Sequence, residues 1–295
     1  MTQHTRSHNQ WPLALLAFAI LAAGTPSLAL AQTPMRTRPR RPQNPAKNKV
    51  DKFKDRVVTF DTSDGVTIEA DWYPVKIKDG EKTPAAILIH MYPAQRSSWK
   101  PMVPLLRDRL GIALLAYDIR GTGGSIEPAE KELEKGYQGP DPAHFADAWK
   151  DAEAAFDWLG KQSHIDTERV ILIGASVGCS ISIDYAHREP KIQGVACLSP
   201  GADYMAIDTL SHIKDVKNAK VLLIAPKGEY DAVEAIMNAG KGKAKIKGKQ
   251  YPGGRENHGT RMFDADYGTK VKERLMQFAR GVLKIEKGKK GEKDD

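Results

Sequence analysis

Cysteine is scarce. The 295-residue chain has two, Cys179 and Cys197, too few for a disulfide-dense mini-fold or the usual four-ligand zinc module. Long apolar runs are also missing. The stretch Leu13–Ala23 falls short of the ~20 residues that span a bilayer, and no other segment approaches that length. No phosphate-binding loop, dinucleotide fingerprint or metal-ligand spacing occurs, so no cofactor and no metal is implied. What remains is ordinary globular composition, 41% hydrophobic and 28% charged, which argues against disorder.

Acid is the charge in deficit, and the net +8 invites a nucleic-acid reading until its distribution is considered. Residues 1–31 carry Arg6 and no acid, while 32–55 carry eight basic against two acidic residues. Five basic and four acidic residues fall in 281–295, which leaves 31 of each sign in 56–280. The body is neutral, so no nucleic-acid partner is expected. Residues 1–31 read as a secretory signal: a weakly basic start, the apolar run, the breakers Gly24 and Pro26, then the small-x-small site Ala29-Leu30-Ala31. Export to the periplasm or medium follows, without stable membrane insertion once the signal is cleaved. The Pro- and Arg-rich stretch 32–55 buries too little apolar surface to order itself and reads as a flexible leader. The charged residues 285–295 read as a flexible tail.

Between these extensions, 56–284 reads as one domain. Val57–Phe60 and Val66–Tyr73 flank a turn at Asp61–Gly65, the pattern of an antiparallel hairpin. The continuous apolar run Ala85–Ile89 suits a central parallel strand buried on both faces. Helical patterns then alternate with strands: helix 99–110, strand 113–117, helix 143–159, strand 170–173, helix 177–188 and strand 194–198. Strand 221–224, helix 231–239, strand 244–251 and helix 267–283 complete the series. This alternation calls for an α/β fold, a mostly parallel sheet with helices on both faces.

The sharpest local signal is Gly174-Ala175-Ser176-Val177-Gly178, directly after an apolar strand and directly before a helix. Small flanking residues let the chain turn tightly, which holds the serine at the sheet edge beside a helix N-terminus. A serine hydroxyl is barely ionised at neutral pH and needs a base. His258 follows the last strand and precedes the last helix, where such a base is required. The other seven histidines fit less well. His4 and His8 belong to the signal, His144, His164, His187 and His212 lie in helices or their flanks, and His90 closes a central strand.

Three further segments occur in order with these: Leu88-Ile-His-Met-Tyr-Pro93, Tyr117-Asp-Ile-Arg-Gly-Thr-Gly-Gly-Ser125 and His258-Gly-Thr260. Together with the serine elbow they resemble the α/β-hydrolase superfamily over about residues 56–283, closest to its small dienelactone-hydrolase-like and carboxylesterase-like members. The resemblance implies a Ser-acid-His triad and an oxyanion hole built from the backbone amides of Val177 and Tyr92. Met91 stands where the family usually has glycine and is expected to narrow the pocket floor or re-aim the Tyr92 amide. His90, Asp118 and Arg120 are expected to be structural. Two acids follow strand 221–225. Aligning the family's G-x-x-D form selects Asp231, whereas counting from the strand start selects Glu229; the choice leans to Glu229 because Asp231 suits the N-cap of the next helix.

Cys179 and Cys197 read either as a disulfide, which export permits, or as two small buried hydrophobes. Lys241, Lys243, Lys245, Lys247 and Lys249 alternate as an edge-protecting, solvated face does. The connections 199–220 and 126–142 are too short or too charged for an apolar lid. The expectation is an exported serine hydrolase acting on short-acyl carboxylic esters, with a small-molecule ester as its partner. Amide or peptide cleavage by the same triad, or a non-catalytic envelope protein on this scaffold, are the alternatives.

Overall fold

The computed structural model describes residues 53–138 and 142–286. The expected signal, nearly all of the leader and the end of the tail lie outside the described residues. Two antiparallel strands open the body: β1 (Arg56–Asp61) and β2 (Thr67–Tyr73). In β2 the residues alternate between buried and half-buried, as a strand with one covered face requires. The chain continues through β3 (Thr83–Ile89), β4 (Ala113–Tyr117), α1 (Leu133–Gln138), α2 (Trp149–Gly160), β5 (Ile165–Ala175), α3 (Val177–Arg188) and β6 (Ile192–Leu198). It ends with α4 (Thr209–His212), β7 (Lys220–Pro226), α5 (Tyr230–Ala239), β8 (Lys245–Tyr251) and α6 (Gly268–Val282).

The strands form one eight-stranded sheet in the order β1-β2-β4-β3-β5-β6-β7-β8. β2 meets β4 antiparallel, and every pair from β4 through β8 is parallel. β3 is buried at all seven positions because both of its faces are covered. Ala85, Ile87 and Ile89 enter one apolar layer with residues of α2, α3 and α5. Ala86 and Leu88 enter the other, beneath Trp99, Leu106 and the α6 residues Val271, Leu275 and Ala279. The continuous apolar run is thus two interleaved faces.

One expected helix is different. Residues 96–108 form a 3-10 stretch, Arg96–Met102, and then a single wider turn, Pro104–Asp108. Pro101 and Pro104 supply no amide donor, and a proline ring inside a helix clashes with the preceding turn, so an α-helix cannot run through both. Likewise, residues 142–145 make a separate 3-10 turn, and α2 proper starts at Trp149. At the far edge, β8 leaves Lys245, Lys247 and Lys249 exposed, where charge discourages pairing with another sheet.

The chain progresses from β3 outward to β4, then returns across β3 to β5. In an open parallel sheet the crevice above the strand ends at such a reversal is where ligands bind. The segments after β3 and after β5 both open onto it.

Candidate active site

Ser176 sits between β5 and α3 with φ 53° and ψ −120°, a left-handed conformation that costs a non-glycine residue on the order of 1–3 kcal/mol. The flanking glycines make the turn sterically possible. A Cβ on Gly174 would stand 2.2 Å from the Gly178 carbonyl oxygen, and one on Gly178 would stand 2.4 Å from that of Ile89. The elbow is therefore packed against the end of β3, backbone to backbone. Ser176 is buried, yet its Oγ has no hydrogen-bond partner among the described residues. A buried hydroxyl left unpaired costs about 1–3 kcal/mol. This one borders a cleft of about 610 Å³ that His258, Glu229 and Tyr92 also line.

The cleft brings together the sequence-predicted residues from four separate segments. His258 Nδ1 lies 2.8 Å from Glu229 Oε1, and both side chains are mostly covered. The other carboxylate oxygen, Oε2, is buried with no partner among the described residues. Glu229 ends the short turn after β7, immediately before α5. Asp231 lines the same cleft but is exposed in the first turn of α5, and the hydrogen bond of the imidazole goes to Glu229. It is not the helix N-cap expected from the sequence, because the helix begins one residue earlier, at Tyr230, with Glu229 at the cap position. An acid in the first turn still complements the helix dipole.

Val177 is the first residue of α3, so its amide has no intrahelical acceptor and is available above the strand ends. Tyr92 borders the cleft from the β3 side, its ring edge-on to Phe145 with centroids 6.2 Å apart. Met91 is not among the residues that line the cleft. Its side chain is buried away from the cleft, with Sδ 3.7 Å from Thr260 Oγ1. A Cβ on Gly259, which has φ +58°, would fall 2.6 Å from that sulfur. Met91 thus packs under the loop that carries His258.

His90 is a structural tie. It is fully buried, with Nδ1 donating to the Met91 carbonyl at 2.9 Å and Nε2 accepting from the Ile119 amide at 3.0 Å. Burial pushes its pKa down to about 4, so the ring is neutral. Asp118 accepts from the amides of Arg96 and Gly124 and pairs with the Arg96 guanidinium, which also reaches Glu69 and Asp71. Arg120, nearly buried, is held between Asp151 and Asp64. Both side chains brace the turn after β4 and lie outside the cleft lining. Cys179 and Cys197 are free, buried thiols, so of the two sequence readings the small-hydrophobe one describes them.

One contributor had no signal in the sequence. Ser199, just past β6 and also left-handed at φ 52°, accepts from the Gly259 amide at 3.0 Å through its Oγ. It clamps the residue next to His258 to the neighbouring strand. In the sequence it is merely the start of Ser199-Pro200-Gly201, an ordinary turn.

Known proteins resemble this chain in sequence and in fold. The family described as Serine aminopeptidase, S33, matches residues 107–245. An uncharacterized protein of Mycobacterium tuberculosis is 28% identical over 136 residues, 46% of this chain and 42% of that protein. The chain thus aligns to less than half the length of the curated relatives it matches. Among solved structures, a Pyrococcus furiosus esterase superposes with a TM-score of 0.61 at 17% identity, covering 78% of this chain and 94% of that one. A dienelactone hydrolase from Anabaena variabilis gives 0.56 at 18% identity, covering 78% and 98%. The sheet order and the serine elbow define an α/β-hydrolase fold. In fold the chain is similar to members of the α/β-hydrolase superfamily.

Proposed function

We propose that the protein is an exported serine hydrolase that cleaves short-acyl carboxylic esters. The observation that carries this reading is the 2.8 Å His258–Glu229 contact in the same cleft as a strained, unpaired serine hydroxyl. Glu229 holds the Nδ1–H tautomer, which leaves Nε2 to take the proton of Ser176 Oγ as that oxygen attacks the ester carbonyl. The Val177 and Tyr92 amides receive the oxyanion. His258 then protonates the departing alkoxide. Water, deprotonated by the same imidazole, attacks the acyl-enzyme, which releases the acid and restores Ser176.

Short acyl groups suit the cleft because its rim is polar, with Arg255, Arg261 and Asp231 exposed on it. Each buried CH₂ of a longer chain is worth ~0.8 kcal/mol only where apolar walls receive it. Export rests on the expected signal, and mature protein sequenced from the N-terminus should begin at Gln32. The family match favours amide cleavage by the same triad as a second reading; p-nitroanilide substrates compared with p-nitrophenyl esters separate the two. The deciding experiment is Ser176→Ala. The variant should fold normally, lose labelling by a fluorophosphonate probe and retain only residual esterase activity. Undiminished turnover would sink the mechanism.

A further inference from the structure

Outside the cleft, three side chains converge where α3 meets α4. Asp184 and His187 lie one turn apart on α3, and His212 ends α4. Asp184 is buried, and its Oδ1 stands 3.4 Å from His187 Nδ1 and 3.5 Å from His212 Nδ1. Both Nδ1 atoms are themselves buried and have no hydrogen-bond partner among the described residues. All three ligand atoms lie within 4.8 Å of one another.

These separations are long for hydrogen bonds, which run 2.7–3.2 Å from nitrogen to oxygen. They fit a different geometry. A tetrahedral ion with bonds of about 2.0–2.1 Å to nitrogen and oxygen sets its ligand atoms about 3.3–3.4 Å apart along each edge. Asp184 Oδ1 also accepts from Arg188 Nε at 2.8 Å, the kind of outer contact that orients a ligating carboxylate. The guanidinium of Arg188 is in turn seated over Trp149, 4.2 Å from the ring centroid.

We propose that Asp184, His187 and His212 bind one divalent transition-metal ion of the zinc class, with water in the remaining position. Two imidazoles and one carboxylate favour zinc, cobalt or nickel over calcium or magnesium, which prefer all-oxygen sites. The rings now stack with centroids 4.6 Å apart and planes 13° from parallel. Lone pairs in such rings do not converge on one point, so one imidazole turns as the ion enters. His212 is the one placed to do so, because it is the last residue of the single turn α4, Thr209–His212, whereas His187 is held within the twelve-residue α3.

The site is structural in its consequence. Asp184 lies about 12 Å along α3 from Ser176, at 1.5 Å per residue, so the ion touches no reacting atom. It would instead fasten the connection between β6 and β7 to α3. That connection contains Ser199, which holds the His258 loop, and Tyr204, which lines the cleft.

The test uses the untagged full chain, stripped with a chelator, and zinc, cobalt and magnesium chlorides as probes. Calorimetry should show one zinc per chain, cobalt should give visible ligand-field bands, and magnesium should do neither. Zinc at a hundredfold excess over its Kd should raise Tm by roughly 5–10 °C. His212→Gln should weaken zinc binding at least about tenfold, remove the cobalt bands and abolish the Tm shift. Asp184→Asn should do the same; if it fails to fold, His212→Gln decides alone. Equal zinc affinity in wild type and His212→Gln, or a wild-type chain that zinc neither binds nor stabilises, overturns the proposal.

Discussion

Replacing Glu229 with glutamine isolates the most consequential contact in the cleft. The substitution keeps the shape of the side chain and removes its charge. An imidazolium and a carboxylate with charge centres about 4 Å apart attract by about 4 kcal/mol at an effective dielectric of about 20. That is about a thousandfold in rate if the imidazolium forms only as Ser176 attacks. A second loss adds to it. The amide of glutamine turns its NH₂ toward Nδ1, which stabilises the tautomer that cannot accept the serine proton; in known Ser-His-acid triads the combined loss is on the order of 10⁴. Glu229 Oε1 has this imidazole as its contact, and Oε2 has no partner among the described residues, so no other bond competes for the side chain. Asp231→Asn is the comparison. That carboxylate is exposed in the first turn of α5 and gives up only its interaction with the helix dipole, about 0.3–1 kcal/mol. The assay is kcat/KM on p-nitrophenyl acetate, with Ser176→Ala setting the floor and Tm checking the fold. Glu229→Gln should fall about 10³- to 10⁴-fold and Asp231→Asn less than about fivefold. If Asp231→Asn is crippled while Glu229→Gln stays near wild type, the acid is misassigned and the reasoning fails.

In a series of p-nitrophenyl esters, specificity should peak at short acyl chains and show no jump at the micellar threshold; a continued rise through long chains would reveal an apolar enclosure. Gly178→Ala forces a Cβ to within 2.4 Å of the Ile89 carbonyl oxygen, so it should cost at least about 1–3 kcal/mol and lower Tm by several degrees. An unchanged melt would mean that the elbow can relax. Acid should act through Asp64. Burial opposes its ionisation, but its hydrogen bonds to Arg120 and Thr62, with the charges of Arg120 and Lys150, outweigh that and hold its carboxyl well below the ordinary 3.8. The unfolded chain therefore takes up this proton first, so the stabilisation is complete above about pH 4 and is lost as pH falls below it. Asp151, across Arg120, works in the opposite sense, because burial lifts its carboxyl against the pull of the guanidinium. The Tm difference between wild type and Asp64→Asn should accordingly be largest near neutral pH and shrink below pH 4; a constant difference would refute the linkage.

Much of this protein was legible from residue order, because strand and helix periodicity and glycine-bounded turns are local properties. The hairpin, β3 to β8, the elbow at Ser176 and the position of His258 after β8 all follow from which residues stand beside which. The prolines at 101 and 104 were equally visible, yet the periodicity around them suggested a helix that their missing donors prevent. The remaining features depended on distance through space. Glu229 and Asp231 are both acids near one strand end, and only the course of the chain into α5 brings one of them to the imidazole. The Met91 side chain turned under the His258 loop because the left-handed Gly259 leaves room there for its sulfur. Ser199 gains its contact from the pairing of β6 beside β7 and the return of the loop after β8. Asp184, His187 and His212 are unremarkable in the sequence and meet because α4 packs onto α3. Short-range pattern decides which elements form, whereas the pairing of distant side chains is set by how the elements pack, and packing depends on the whole core at once.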